Sequence, residues 1–416
     1  MFAPADTRTL TNLFEYYMQM VPFLAARTPS VFNHTGLYTT ETSTLFGAYD
    51  PCDYGDPASM RNTTRLPIGY EENRFLRFDF GGDAGLPELC VMLLDAYMYT
   101  LDDDLLTKYM PLLSGTLDFF ARHYGDVEAT ETRGDGAQDA KLRIFPTQAL
   151  ETYQCWLPPT EDNCPLNDHP TVAALHVLTE RALELPEHLT TAVHRRQWGR
   201  LRDVLPPVPI VEEDGVRVVA PYEQYPRGAN LGNVEAPELY STHPFRYFTL
   251  GRSRLPGERK RDLAPSLYCL EHSNRTSCVN GRQNSGWMQR PMNAALLGRA
   301  ELAARAVLAR AATPPALGYR FEGFAPREQD YQPSEDHWAV MNAALQLMLL
   351  SPADDGLDAG GALLFPSWPC AWDVDFKLAA PRATVVSGRL VGGELHDLSV
   401  EPPERRDAIT VLECQE

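Results

Sequence analysis

Gly85-Leu86-Pro87-Glu88-Leu89-Cys90-Val91-Met92-Leu93-Leu94-Asp95-Ala96-Tyr97-Met98-Tyr99-Thr100 is apolar almost all round, with two acids, Glu88 and Asp95, set into it. Such a run reads as a helix buried on most sides rather than one lying on a surface. Asp102, Asp103 and Asp104 then cap a second helix over residues 105–124, which completes a helix-turn-helix pair. Glu88 and Asp95 fall two turns apart on one face. Either that face lines a polar cavity or the acids pair with arginines such as Arg74 and Arg77.

Working outward, the pattern repeats. Upstream, residues 7–26 carry Leu10, Leu13, Phe14, Tyr17, Met20, Val21 and Leu24 at helical spacing, with Pro22 placed to kink the last turn and Pro29 beyond it. A long loop over residues 32–80 holds Glu41, Asp50, Asp53 and Asp56, whose register matches no ion-binding loop and suits turns. Downstream, residues 126–141 are a charged loop, and 171–184 with 187–204 form another helix pair. Residues 206–228 look like an exposed excursion, 287–310 one long helix, and 338–350 an apolar helix entered from an aromatic and acidic loop. From residue 363 the apolar period changes to two, broken by Gly388, Gly392 and Gly393, which predicts a small antiparallel β appendage. Helix pairs separated by long loops describe a mainly α fold, an α/α toroid over residues 1–352 followed by a β-strand region over 353–416. No exact internal repeat marks a binding solenoid.

With 416 residues and 44% hydrophobic content, the chain can bury a large core. Its formal net charge of -19 repels nucleic-acid phosphate and anionic membrane, so no nucleic acid and no membrane is expected as partner, and a neutral substrate suits it better. No apolar run approaches the ~20 residues that span a bilayer. Of eight cysteines, Cys155 with Cys164 and Cys269 with Cys278 are each nine apart in polar loops, a spacing that suits local disulfides. No Cys-x-x-Cys or His-x-x-x-His arrangement is present, so no metal and no cofactor is expected. Sequons at Asn33, Asn62 and Asn274 agree with an oxidising, secretory-pathway or extracellular location, although the opening residues lack a signal-peptide layout.

Chemistry concentrates in two stretches. Phe145 to Trp156 sets Glu151 among aromatics, with Gln148 and Gln154 as paired hydrogen-bonding groups and Phe145, Tyr153 and Trp156 as stacking surface. Desolvation there disfavours the charged form of Glu151 and favours a proton donor. A surface glutamate beside a disulfide loop is the other reading. Residues 230–244 combine Asn233, Glu235, Glu238, Tyr240 and His243 where Pro237 begins a helical turn. These groups suit a substrate site, or the two acids simply cap a helix. Trp287, Glu335, Asp336 and His337 lie at the openings of two later helices.

In that order the segments resemble the (α/α)6-barrel glycoside hydrolases related to family 95, the inverting α-L-fucosidase type. Residues 146–151 look like the family's proline-serine-proline-glutamate segment, which implies Glu151 as general acid. Ser285-Gly286-Trp287 is similar to the glycine-tryptophan-serine segment opening a barrel helix, and residues 233–244 to a histidine-bearing segment, with Glu235 and Glu238 at those positions. Residues 364–369, followed by Trp372 to Phe376, resemble the passage from barrel to C-terminal sheet. The resemblance implies an incomplete, N-terminally truncated (α/α)6 toroid. The family's water-activating asparagine pair falls before the first residue here, and Gln283 and Asn284 stand where its assisting aspartate is expected.

The function implied is inverting hydrolysis of a glycosidic bond in an oligo- or polysaccharide. Glu151 would be the acid, and Gln148, Trp156, Asn233, Glu235, Glu238, His243, Trp287, Glu335, Asp336 and His337 would hold the sugar. The candidate bases are Glu235, Glu238, Glu335 and Asp336. A catalytically impaired carbohydrate-binding relative and a helical scaffold without a sugar site stand beside that reading.

Overall fold

The structure, a computed structural model, describes residues 8–39, 81, 85–125, 141–155, 159–224, 235–272, 277–278, 284, 287–312, 335–353 and 360–415, with Glu258 and Glu335 described in backbone only. About half of these residues are helical, joined by small sheets.

Helix α1 (Arg8–Phe32) runs through both Pro22 and Pro29 and ends at Asn33, whose left-handed φ of 59° suits a C-terminal cap. The expected stop after residue 26 is therefore one and a half turns early. Helices α2 (Leu86–Thr100) and α3 (Asp103–His123) are the anticipated pair. Asp102 accepts from the Leu105 N–H at 2.9 Å and so caps α3. On α2, Leu93, Leu94 and Met98 are fully buried, each worth about 1.5–3 kcal/mol relative to exposure. Strand β1 (Leu166–Asp168) leads into α4 (His169–Glu184), which pairs with α5 (Ala192–Val204) after a short 3-10 turn at Glu187–Leu189.

Residues 206–228 are less exposed than their prolines suggest. Strands β2 (Ile210–Glu213) and β3 (Val216–Val219) form a hairpin, and β4 (Tyr222–Gln224) pairs antiparallel with β1. Val218 and Val219 are fully buried because the hairpin packs on a later helix, α7 (Ala264–Glu271), where Cys269 Sγ meets the Val219 carbonyl at 3.4 Å. Between them lies the one-turn α6 (Leu250–Ser253).

The long helix expected over residues 287–310 is two, α8 (Arg290–Leu296) and α9 (Ala300–Ala312). Gly298 breaks them with φ +73°, and a Cβ there would lie 2.9 Å from Leu250 Cδ2. Gly298→Ala is expected to cost about 1–2 kcal/mol through left-handed strain and that contact, read as a lower urea midpoint at unchanged slope.

Helix α10 (Glu335–Leu349) passes directly into β5 (Leu350–Pro352). Strand β6 (Ala362–Leu364) pairs antiparallel with β5 and parallel with β10 (Ile409–Val411), so the last strand of the chain returns to the end of α10. The expected antiparallel meander is β7 (Val374–Ala380), β8 (Thr384–Val391) and β9 (Glu394–Glu401). Phe376 lies across Gly388, where a Cβ would meet its ring at 3.0 Å, and Gly392 and Gly393 turn the β8–β9 hairpin with positive φ. The β7–β8 turn uses Arg382 and Ala383 in the left-handed region, and their N–H groups donate to the Met98 and Tyr99 carbonyls at 2.7 and 2.6 Å. Orphan acceptors at the end of α2 are thereby satisfied, which fixes the meander to the helical body.

Candidate active site and adjoining cavity

The turn carrying Glu151 is held from several sides. Ala149 and Tyr153 exchange backbone hydrogen bonds at 3.1 Å, and Leu150 between them is fully buried with a left-handed φ of 54°. Fully buried Gln148 clamps the turn, donating from Nε2 to the Leu150 carbonyl at 2.9 Å and accepting from Cys155 N–H at 3.4 Å. Upstream, Ile144 N–H donates to Asn167, and Thr147 Oγ1 donates to Asp168 at 2.5 Å, the residue that also caps α4 through Thr171 N–H at 2.8 Å. The expected Cys155–Cys164 disulfide closes the other side. A left-handed non-glycine residue is retained only where its surroundings over-determine it, and here the result is a rigid turn presenting a half-buried Glu151.

Next to Glu151, Thr152 Oγ1 donates to the Glu235 carbonyl at 3.3 Å and to its carboxyl Oε2 at 3.4 Å. The two chemically dense stretches, 83 residues apart, therefore meet here. Glu235 is buried, and so is Glu238 on the short 3-10 turn Pro237–Leu239, whose Oε1 has no hydrogen-bond partner. Burial pushes the Glu238 carboxyl up to about 8, so it holds its proton at neutral pH.

From Glu238 the same segment reaches His243, whose imidazole is next to Gln289. Beside Gln289 are Met288 and Trp287, and the Met288 carbonyl accepts from Arg310, which also contacts His337. His337 Nε2 lies 3.2 Å from the Arg310 carbonyl. Thr152 thus joins the Glu151 turn to Glu235, and Arg310 joins Met288 to His337. Asp336 is exposed at the start of α10. Trp156, Asn233, the side chain of Glu335, the loop aspartates Asp50, Asp53 and Asp56, and Arg74 and Arg77 all lie outside the described residues.

His243 also lines a cavity of about 260 Å³ between α2, α8, α10 and the strand ends of β5 and β7. Glu88 and Asp95 both line it, so the open alternative for that helix face resolves as a cavity with an ion pair in its wall. Fully buried Asp95 pairs with Arg181 at 2.8 Å and with Arg246. Desolvation pushes its carboxyl up, but Arg246 and Arg181 together outweigh this and hold it below the ordinary value. No sequence signal marked either arginine, because pairing 86 or 151 positions apart leaves no local pattern.

Burial shifts several of the described titratable groups. It pushes His123, His169 and His243 down to about 3, helped at His123 by His34 and at His243 by Arg246, while it raises Asp168 to about 6. The unfolded chain protonates these imidazoles near 6.5, so their contribution to stability is lost as pH falls below that value. Glu238 and Asp168 have raised folded values, so what they contribute is lost as pH rises, for Glu238 up to about 8. Burial lowers His176 and His194 as well, so five imidazoles outnumber two acids on the acid side, and of the groups named Glu238 alone acts above. The thermal midpoint is expected to peak near pH 6.5, with Glu238→Gln flattening the alkaline fall. A midpoint that climbs steadily to pH 9 in the unaltered chain would contradict this.

No protein-family model matches the chain, and no curated protein matches it. Among solved structures it is similar to the GH78 family rhamnosidase of Bacillus sp. GL1, at 14% identity and a TM-score of 0.44, over 79% of this chain and 33% of that one. The chain thus spans about a third of that enzyme's length.

Proposed function

We propose that this chain is a carbohydrate-active protein of glycoside-hydrolase type, built on an (α/α)6 toroid. In it Glu151 protonates the leaving oxygen of a glycosidic bond, with inversion at the sugar carbon. The observation that carries the reading is the pinned turn that presents Glu151 and, through Thr152, touches the buried acid Glu235. Inversion requires a water between acid and base, with the two groups roughly 6.5–9.5 Å apart. We assign Glu235 as the general base that takes the proton of this water. Glu238, protonated at neutral pH, is a hydrogen-bond donor to ligand oxygens rather than a base. Cys155–Cys164, Cys269–Cys278 and Cys370–Cys414 support an oxidising, secretory location.

The test is calorimetry of the 416-residue chain against a panel of neutral oligosaccharides, with long-incubation product analysis on each ligand that binds. Saturable binding with slow hydrolysis is expected: stacking and hydrogen bonds hold the glycan whatever the state of the acid and base, while cleavage needs Glu151 and Glu235 aligned on opposite faces of one ring. Binding to no glycan would overturn the reading and favour a helical scaffold. Binding with no product would favour the carbohydrate-binding relative.

A further inference from the structure

We propose that the 260 Å³ cavity behind His243 is a binding site for a small neutral amphiphile, an aryl or alkyl alcohol. The proposal is independent of the sugar chemistry assigned to Glu151, and none of its evidence comes from that turn. Three observations carry it, concerning the walls, the charge and the size.

The lining mixes polar and apolar groups. His243 is next to Gln289, Arg246 and Asp95, and these four supply a polar part of the wall. The rest of the lining includes Val91 and Met92, which adjoin Asp95 on α2, Leu347 from α10, and Leu350 and Leu378 from the strand ends. A ligand there buries an apolar body against aliphatic side chains and turns one polar end toward an amide and a guanidinium, the usual composition of a small-molecule pocket.

Charge then decides what that polar end is. Asp95 and Glu88 are two carboxylates on the cavity, and Arg246 with Arg181 behind it are two guanidiniums. They sum to zero. Asp95 is already held between both arginines, so an anionic ligand would have to displace a buried carboxylate, and a cation would meet Arg246. A hydroxyl escapes both penalties, since it donates to the Gln289 amide oxygen and accepts from its nitrogen or from Arg246.

Size sets the rest. A cavity of ~150 Å³ lined by aliphatic groups holds benzene, so about 260 Å³ holds a ligand of about ten non-hydrogen atoms. 4-Propylphenol has that size and polarity.

The experiment titrates the full chain with 4-propylphenol, followed by calorimetry and ligand-observed NMR, beside 4-ethylbenzoate and 4-ethylbenzylammonium as charged counterparts of similar size. One saturable site with a Kd of about 10–300 µM is expected, with both charged ligands at least ~10-fold weaker. Ala343 is buried on the α10 wall, so Ala343→Phe is expected to fill the cavity and weaken binding by ~20-fold or more. Leu347→Phe, at a half-buried position on the same wall, provides a second filling variant, and circular dichroism with a urea midpoint establishes that each variant is folded. Absence of saturable binding would overturn the proposal, as would a charged ligand binding as tightly. Undiminished binding by a folded filling variant would place the ligand elsewhere and overturn it equally.

Discussion

Asp95→Ala is expected to destabilise the chain by about 3–5 kcal/mol, the largest loss of any single change considered. Its side chain is 3% exposed and that of Arg181 1%, so removing the carboxylate leaves Arg181 buried without a counter-charge among the described residues and takes the same partner from Arg246 at the cavity wall. The ion pair itself contributes little net stability, because bringing three charged groups out of water costs nearly what their attraction returns. What makes the loss large is the uncompensated guanidinium. The double variant Asp95→Leu with Arg181→Met should therefore regain part of the loss, since both charges leave together and the volume stays filled. Urea unfolding followed by circular dichroism measures this, and a loss below about 1 kcal/mol for Asp95→Ala would contradict the assigned pairing.

Asp95 also marks the limit of what the sequence alone conveys. That α2 is buried all round, that Asp102 caps α3, and that the C-terminal strands alternate are local facts, carried by spacing and cap residues within one turn or one pleat. Cys155–Cys164 and Cys269–Cys278 were legible for the same reason, while Cys370–Cys414, 44 residues apart, had no local mark. Gly298 was hidden in an alanine-rich run of high helix propensity, and only the contact with Leu250 explains why the chain turns there. Val218 and Val219 fell in what looked like an exposed excursion because the helix that covers them comes some fifty residues later. In the site, Glu151, Glu235 and His243 could be singled out by residue type. The Thr152 contact that ties the Glu151 turn to Glu235, and the arginines that pair with Asp95, depend on packing between distant segments.

The second large effect belongs to Glu151. A residue that only shapes a sugar pocket influences every substrate alike, whereas a general acid matters in proportion to how much help the leaving group needs. Glu151→Gln keeps the size and hydrogen-bonding capacity of the side chain and removes its transferable proton, so glycan affinity should change little. Hydrolysis should fall by ~10² to 10⁴ for a sugar or alkyl leaving group, whose oxygen must be protonated as it departs. For a 2,4-dinitrophenyl leaving group, which departs as a stable anion, the fall should be less than about 10-fold.

That contrast tests the central claim most directly. With the sugar identified by calorimetry, hydrolysis of its alkyl and 2,4-dinitrophenyl glycosides would be measured on the unaltered chain and on Glu151→Gln. The expected result is a large loss confined to the alkyl glycoside. Equal losses for both leaving groups, or none for either, would show that Glu151 is not the proton donor.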